Sequence, residues 1–369
     1  MAPLRYEGCT LFRQRVTSAA LSGNVLSLSK VREEDQQAPG LHDFEANYLK
    51  LVEKLCDGCH IDINETGTKM RFKPGILIGG RVTHNCGTSR SIGWYIEGIL
   101  PLAIFCKETV ILSLQGVTND QTDTSVDVLK SVTLPLLRNF GVEGVQFEIT
   151  SRGAFPKGGG SIELTIPIVR ELIPINITEE GLIARVRGTA FGAKVSPTIV
   201  NRLIESARGV LNKLLPDVYI VSDHNKGQNS GNSAGYSISL VAESNTGVLL
   251  SAEHTAGGPD APQGEMPEDI GTTCAELLLQ EVKRGGVVDS THQPLVLQMM
   301  VLGPEDVCKV RFGSELTPQA IATLQLLKDA FGVVFKIKRD SSQADVGDGS
   351  TIILSCLGTG YRNMARRII

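Results

Sequence analysis

A unit of strand, capped helix and strand recurs three times along this chain, and it constrains the fold more than any other feature. Val110 to Leu114 reads as a strand, Thr124-Ser125 opens a helix running to Phe140, Gly141 stops it, and Val145 to Ile149 is a strand. Ile183 to Val195 is a strand, Ser196-Pro197 starts a helix ending near Leu215, and Val218 to Val221 is a strand. Lys309 to Phe312, a helix from Thr317-Pro318 to Phe331 stopped by Gly332, and Val333 to Ile337 complete the third unit. Ser or Thr before Pro is the chemistry of an N-cap followed by the first helical turn. The pattern predicts an α+β fold of repeated α/β modules, with helices over one face of mixed sheets. Upstream, Leu21 to Val31 reads as a strand pair around Gly23-Asn24, and Glu33 to Leu41 as a polar loop. His42 to Cys56 is an amphipathic helix, Phe72 to Gly80 strand with glycine punctuation, and Ser89 to Phe105 apolar at helical spacing.

At 369 residues the chain exceeds one ordinary domain. Residues 182–281 hold two polar, glycine-rich stretches, Asp223 to Ser233 and Thr255 to Pro267, read as mobile loops. They read as a smaller α/β domain inserted into a larger one formed by residues 1–181 and 282–369.

Between Val145-Phe147-Ile149 and Ile162-Leu164-Ile166 lies Ser151-Arg-Gly-Ala-Phe-Pro-Lys-Gly-Gly-Gly-Ser161. Gly158, Gly159 and Gly160 free the backbone to approach a phosphate or another backbone closely. Arg152 and Lys157 flank them as cations. The stretch reads either as a phosphate- or RNA-facing loop or as a plain strand crossover with solvated charges. Arg13, Arg15 and Arg32 are further candidates to converge with Arg152 and Lys157 on an anion, because the guanidinium fork matches phosphate oxygens.

The net charge of −4 argues against a global field for nucleic acid. Charge is uneven, however. From Val307 onward nine Lys and Arg face five acids, +4, which leaves −8 elsewhere. Such a basic region suits a local contact with RNA or an acidic partner. Eight scattered cysteines suit a reducing compartment. Cys56-Asp-Gly-Cys59-His60 matches a haem-attachment pattern but follows a helix with no second Cys pair for zinc, so neither haem nor metal is expected. No basic start precedes an apolar run, and no stretch reaches the ~20 apolar residues of a membrane helix. A soluble intracellular protein without membrane contact is expected. Among the histidines, His292 is the best-placed general base, although a polar residue before a helix also serves as a cap. Asp260 and Glu268-Asp269 read either as metal ligands or as plain solvated loop acids, and Asp120 and Asp123 either as a metal site or as capping and Asx-turn residues.

Several of these motifs occur in a particular order. Arg152-Gly153…Pro156…Gly158-Gly159-Gly160…Ile162, Arg32…Pro39-Gly40-Leu41, Lys73-Pro74-Gly75…Gly79-Gly80, Arg187-Gly188 and Gln293 resemble the RNA 3′-terminal phosphate cyclase family over roughly residues 5–358. The resemblance implies a large domain of βαβ-like modules with a smaller domain inserted. It also implies an ATP-adenylated histidine in the loop before the last long helix. The matching stretch, Arg311-Phe-Gly-Ser-Glu-Leu-Thr317, contains no histidine. The family's N-terminal glycine run is reduced here to Tyr6-Glu7-Gly8-Cys9-Thr10, and His292 stands where an acid is expected before Gln293. Cyclase activity is therefore expected to be absent, and no cofactor is expected.

Gly116-Val-Thr-Asn-Asp120, Asp223-His-Asn-Lys-Gly227 and Gly285-Gly286-Val-Val-Asp289 resemble the cyclase-like branch of the family. That resemblance implies nuclear and nucleolar location, a processome GTPase partner, pre-rRNA and small-subunit processome components as further partners, and a role in early cleavages leading to 18S rRNA. Two functions remain open: a catalytically silent assembly factor, or an endoribonuclease. The candidate for the latter is Lys328, on the last long helix. Ile321, Leu324, Leu327 and Phe331 are expected to face inward there, with Gln325, Lys328 and Asp329 outward.

Overall fold

The computed structural model describes residues 3–257, 265–340 and 350–363. Strand β1 (Leu4–Glu7), helix α1 (Phe12–Ser22), β2 (Leu26–Ser29), α2 (Asp43–Leu55), β3 (Cys56–Asp57), β4 (His60–Ile63), β5 (Met70–Lys73) and β6 (Ile76–Leu77) come first. β1 and β2 pair in parallel, and β5 and β4 extend the sheet antiparallel in the order β1-β2-β5-β4. The short strands β3 and β6 pair separately.

The next segment repeats this plan. It comprises β7 (Gly80–Asn85), α3 (Ile92–Ala103), β8 (Val110–Gly116), then α4 (Val126–Val128) running through a π-turn (Leu129–Thr133) into α5 (Leu134–Asn139), followed by β9 (Gln146–Ser151) and β10 (Gly160–Ile166). The sheet order is β7-β8-β10-β9, with β7 and β8 parallel.

The third copy is interrupted. After β11 (Asn176–Ile177) the chain forms β12 (Ile183–Ala193), α6 (Pro197–Leu211), β13 (Val218–Asn225), β14 (Gly235–Ser244), β15 (Leu249–Thr255) and α7 (Pro267–Arg284), with sheet order β13-β12-β14-β15. It then resumes with α8 (Gln293–Val301), β16 (Val307–Phe312), α9 (Pro318–Phe331), β17 (Lys336–Asp340) and β18 (Thr351–Leu357), giving β11-β16-β18-β17. The fold is α+β, built from α/β modules. The repeat in space is β-α-β-α-β-β. Two of the sequence units begin one strand late in this module, with β8 and β9 separated by β10 and β16 and β17 by β18, whereas the Ile183–Val221 unit is the adjacent parallel pair β12 and β13 of the interrupting segment.

The helices bury their apolar stripes against these sheets in one continuous core that includes Tyr48, Phe72, Tyr95, Phe140 and Phe312. Trp94 meets Phe44, Tyr48 and Tyr95 edge-on, with centroids 5.1–5.4 Å apart. A second cluster, including Val186, Leu203, Leu240, Ile270 and Leu278, fills the space between the β12–β15 sheet and helices α6 and α7.

Local chemistry explains the helix starts. The Oγ of Ser196 accepts from Thr198 N (3.3 Å), and Thr317 Oγ1 accepts from Ala320 N (3.1 Å). At α2, Glu45 reaches back to His42 N (2.8 Å) in a capping box.

Four expectations are corrected. Leu21 and Ser22 end helix α1 instead of opening a strand pair; Val16, Ala19 and Ala20 give this helix a buried stripe of small residues, and Gly23 closes it in the left-handed conformation. The last predicted strand forms at Lys336–Asp340, while Val333 and Phe335 are tucked partly against the core. Ile321 is 49% exposed; α9 turns Ala320, Thr323, Leu326, Leu327 and Ala330 inward instead. Asp223 to Asn225 belong to β13, and the segment after them docks on the glycine loop, as described below. Asp260 lies outside the described residues.

Candidate functional site

Strand β9 delivers Arg152, and β10 begins at Gly160, so the glycine loop closes a hairpin. Its backbone is packed from three sides. Gly153 N donates to Thr118 Oγ1 (3.1 Å), and Gly153 O accepts from Thr118 N (2.7 Å). A Cβ on Gly153 would lie 2.2 Å from Gly160 N, so no other residue fits. Gly159 takes φ +86° against Asn232. Asn232 N donates to Gly158 O (2.8 Å), and Lys157 N donates to Ser233 Oγ (3.0 Å). The glycines serve close approach of backbone to backbone, the crossover reading of this stretch.

Arg152 is 4% exposed and faces protein. Its Nη1 and Nη2 donate to the two Asp127 oxygens at 2.7 Å each, and Nε and Nη2 donate to Asp223 Oδ2 at 2.9 and 2.6 Å. The guanidinium lies 5.1 Å from the centroid of Phe191. Asn119 Nδ2 donates to Asp127 Oδ2 (3.0 Å) and Ser237 Oγ (3.3 Å). Burial alone lowers the Arg152 pKa, but Asp127 and Asp223 outweigh it and the net shift is upward. Two carboxylates around one cation leave a local charge of −1, which repels a phosphate.

The remaining arginines do not converge with it. Arg13 donates to Glu97 Oε2 (2.9 Å) and to the Trp94 carbonyl, under the Trp94 ring. Arg15 donates to Gly8 O (3.1 Å) and stacks on Tyr6; Arg32 forks onto both Glu45 oxygens (2.8 Å each). The expected convergence on one anion is corrected: a guanidinium fork suits a carboxylate as well as a phosphate, and each of these is used internally. Lys157 is exposed at the loop's outer edge.

A second network surrounds His292. Its Nδ1 lies 2.6 Å from Asp289 Oδ1 and its Nε2 lies 2.8 Å from Thr133 Oγ1. Asp289 Oδ2 accepts from Ser251 N (2.9 Å) and Ser251 Oγ (2.5 Å). His292 and Thr133 are 4% and 1% exposed. Burial lowers the His292 pKa and Asp289 raises it, with a net rise; the Asp289 carboxyl, which burial raises, is held below its ordinary value by His292 and Ser251. A small cavity of about 40 Å3 beside it is lined by Arg13, Glu97, Thr133, His292 and Gln298. Gln298 Nε2 is buried there without a partner. This network was invisible as a set, although the Asp289-x-x-His292 spacing was a usable signal. Together with Ser125 N donating to Glu253 Oε1 (3.0 Å), the Arg152 and Asp289 contacts stitch the β12–β15 sheet to the rest of the molecule.

Gln293 holds the loop of residues 311–317, which contains no histidine. Its Oε1 accepts from Thr317 N (2.8 Å) and its Nε2 donates to Glu315 O (3.3 Å). Glu315 itself is exposed. On α9, Lys328 and Gln325 are exposed, and Asp329 Oδ2 accepts from Tyr6 Oη (3.0 Å). Among the described residues no three His, Cys, Asp or Glu side chains are grouped to hold a metal, and no helix is long and apolar enough to cross a membrane.

The RNA 3′-terminal phosphate cyclase family model matches residues 4–337. The human RNA 3′-terminal phosphate cyclase-like protein is 45% identical over 99% of this chain and 98% of its own length. A probable RNA 3′-terminal phosphate cyclase-like protein of Dictyostelium discoideum is 44% identical over 98% and 99%. The rRNA processing protein rcl1 of Schizosaccharomyces pombe is 41% identical over 99% and 98%. With a thrice-repeated module, a glycine hairpin and full-length relatives in agreement, the chain belongs to the RNA 3′-terminal phosphate cyclase family.

Proposed function

We propose that this chain works in pre-rRNA processing as an assembly factor without cyclase chemistry. The observation that carries the reading is the 311–317 loop: Gln293 holds its backbone, yet it offers no imidazole to accept an adenylate. A carboxylate such as Glu315 cannot form a phosphoramidate. The relative named for rRNA processing, similar over almost its whole length, supplies the process. The finer reading places the chain in the nucleolus, within the small-subunit processome. There it partners a GTPase and supports the early cleavages that lead to 18S rRNA. Residues 182–281 act in it as an inserted domain. The nuclease alternative draws little from α9, because Asp329 beside Lys328 is engaged by Tyr6 instead of standing free as an acid or base.

Purified protein incubated with a short pre-rRNA fragment spanning the 5′ end of 18S is expected to bind it and leave it intact, with or without the GTPase. The same protein given ATP and a 3′-phosphorylated RNA should yield no cyclic phosphate. A site-specific cut that disappears in Lys328→Ala would replace this reading with the nuclease.

A further inference from the structure

We propose that the outer face of the β11-β16-β18-β17 sheet is a docking surface for the phosphate backbone of single-stranded RNA. The inference rests on the RNA-associated role above and adds the surface that carries it. Register fixes the face. Asn176, Lys309, Ser355 and Lys336 stand in one row across the four strands, and Lys338 lies two residues along on the same side. Neighbouring strands are about 4.8 Å apart and alternate residues about 6.7 Å apart, so the three lysines cover a patch roughly 10 Å wide. All three are exposed, and among the described residues none has an ion-pair partner. Val307 and Leu357, directly opposite each other at one end, are 60% and 56% exposed.

The nearby carboxylates are occupied or turned aside. Asp340 pairs with Arg311 at 2.9 Å, Glu180 lies 3.8 Å from the same arginine, and Asp306 accepts from Val307 N. The basic character is not a by-product of the architecture, because the two sister sheets differ. The corresponding face of β7-β8-β10-β9 sets Glu163 opposite Glu148. On β1-β2-β5-β4, Asp62 shares a row with Arg5 and Arg71. On this face Lys309, Arg311, Lys336 and Lys338 outnumber Asp340, and a net positive sheet face on a protein of net charge −4 complements a polyanion. Point-charge lysines without an aromatic platform read backbone phosphate, not base identity. The patch holds three of the nine Lys and Arg found from Val307 onward.

The test compares wild type with Lys309→Gln/Lys336→Gln/Lys338→Gln by fluorescence anisotropy on labelled oligouridine across a salt series. A control variant carries Arg5→Gln and Arg71→Gln. Three phosphate contacts on a single strand predict that the triple variant's salt slope is shallower by about 2, so that from 50 to 200 mM salt wild type loses about twentyfold more affinity than the variant does. The control should match wild type. An unchanged melting curve is expected, since all three side chains are exposed; should the triple variant fail to fold, the Lys336→Gln/Lys338→Gln double variant reads a slope change of about 1.4. Wild type that binds with the same slope as the triple variant overturns the surface while leaving RNA association intact. Wild type that does not bind overturns both. A polyglutamate peptide that displaces the RNA at equal charge concentration would assign the face to an acidic protein and overturn the proposal.

Discussion

Arg152→Ala is expected to destabilise the fold by about 3–5 kcal/mol, seen as a large drop in the urea midpoint, because it strands a buried charge. Asp127 is buried, and Arg152 is its bidentate partner at 2.7 Å. Asp223 loses its 2.6 Å partner at the same time, and Phe191 loses the cation stacked on it. The damage falls where β9 meets the β12–β15 sheet. Arg152→Lys restores the charge without the fork and should recover only part of the loss. Arg152→Ala that kept full stability and lost only RNA binding would show a free phosphate fork and contradict this geometry.

His292→Gln should have a comparable effect whose size depends on pH. The folded pKa of His292 is raised, so its stabilisation is complete below the unfolded value near 6.5 and fades as pH rises through the folded value. The pKa of Asp289 is lowered, so its contribution is present above about 3.9 and is lost as pH falls through its folded value. Between those limits the wild type should exceed His292→Gln by about 3–5 kcal/mol. The gap should narrow steadily above pH 6.5. Equal gaps in urea melts at pH 6 and pH 9 would show that the pair acts through shape alone.

What was legible in the sequence follows the range of the forces. The Ser196 and Thr317 caps act within three residues, so the α6 and α9 starts could be read directly. Helix α1 was missed because its buried stripe has only Phe12 and Val16 as large apolar residues before Ala19 and Ala20, which are too small to mark a period beside Arg13, Gln14 and Arg15. The β-α-β-α-β-β module was only half visible, since the place of β18 between β16 and β17 is a long-range pairing choice. The glycine loop was placed between two strands and read either as phosphate-facing or as a crossover, but the partners of Arg152 lie 25 and 71 residues away. Nothing local distinguishes an arginine that binds phosphate from one that binds two distant carboxylates. The same limit hid the His292 network, in which Thr133 and Ser251 come from different sheets and helices. The excess of basic residues after Val307 was countable in the sequence, yet only strand register gathers three of them on one face.

The most direct test of the central claim is the precursor rRNA pattern in cells from which this protein is depleted and then replaced. The account predicts that depletion accumulates precursors uncut around the 5′ end of 18S. Expression of the chain, which offers no histidine in residues 311–317, should restore the mature product. An unchanged precursor pattern on depletion would contradict it.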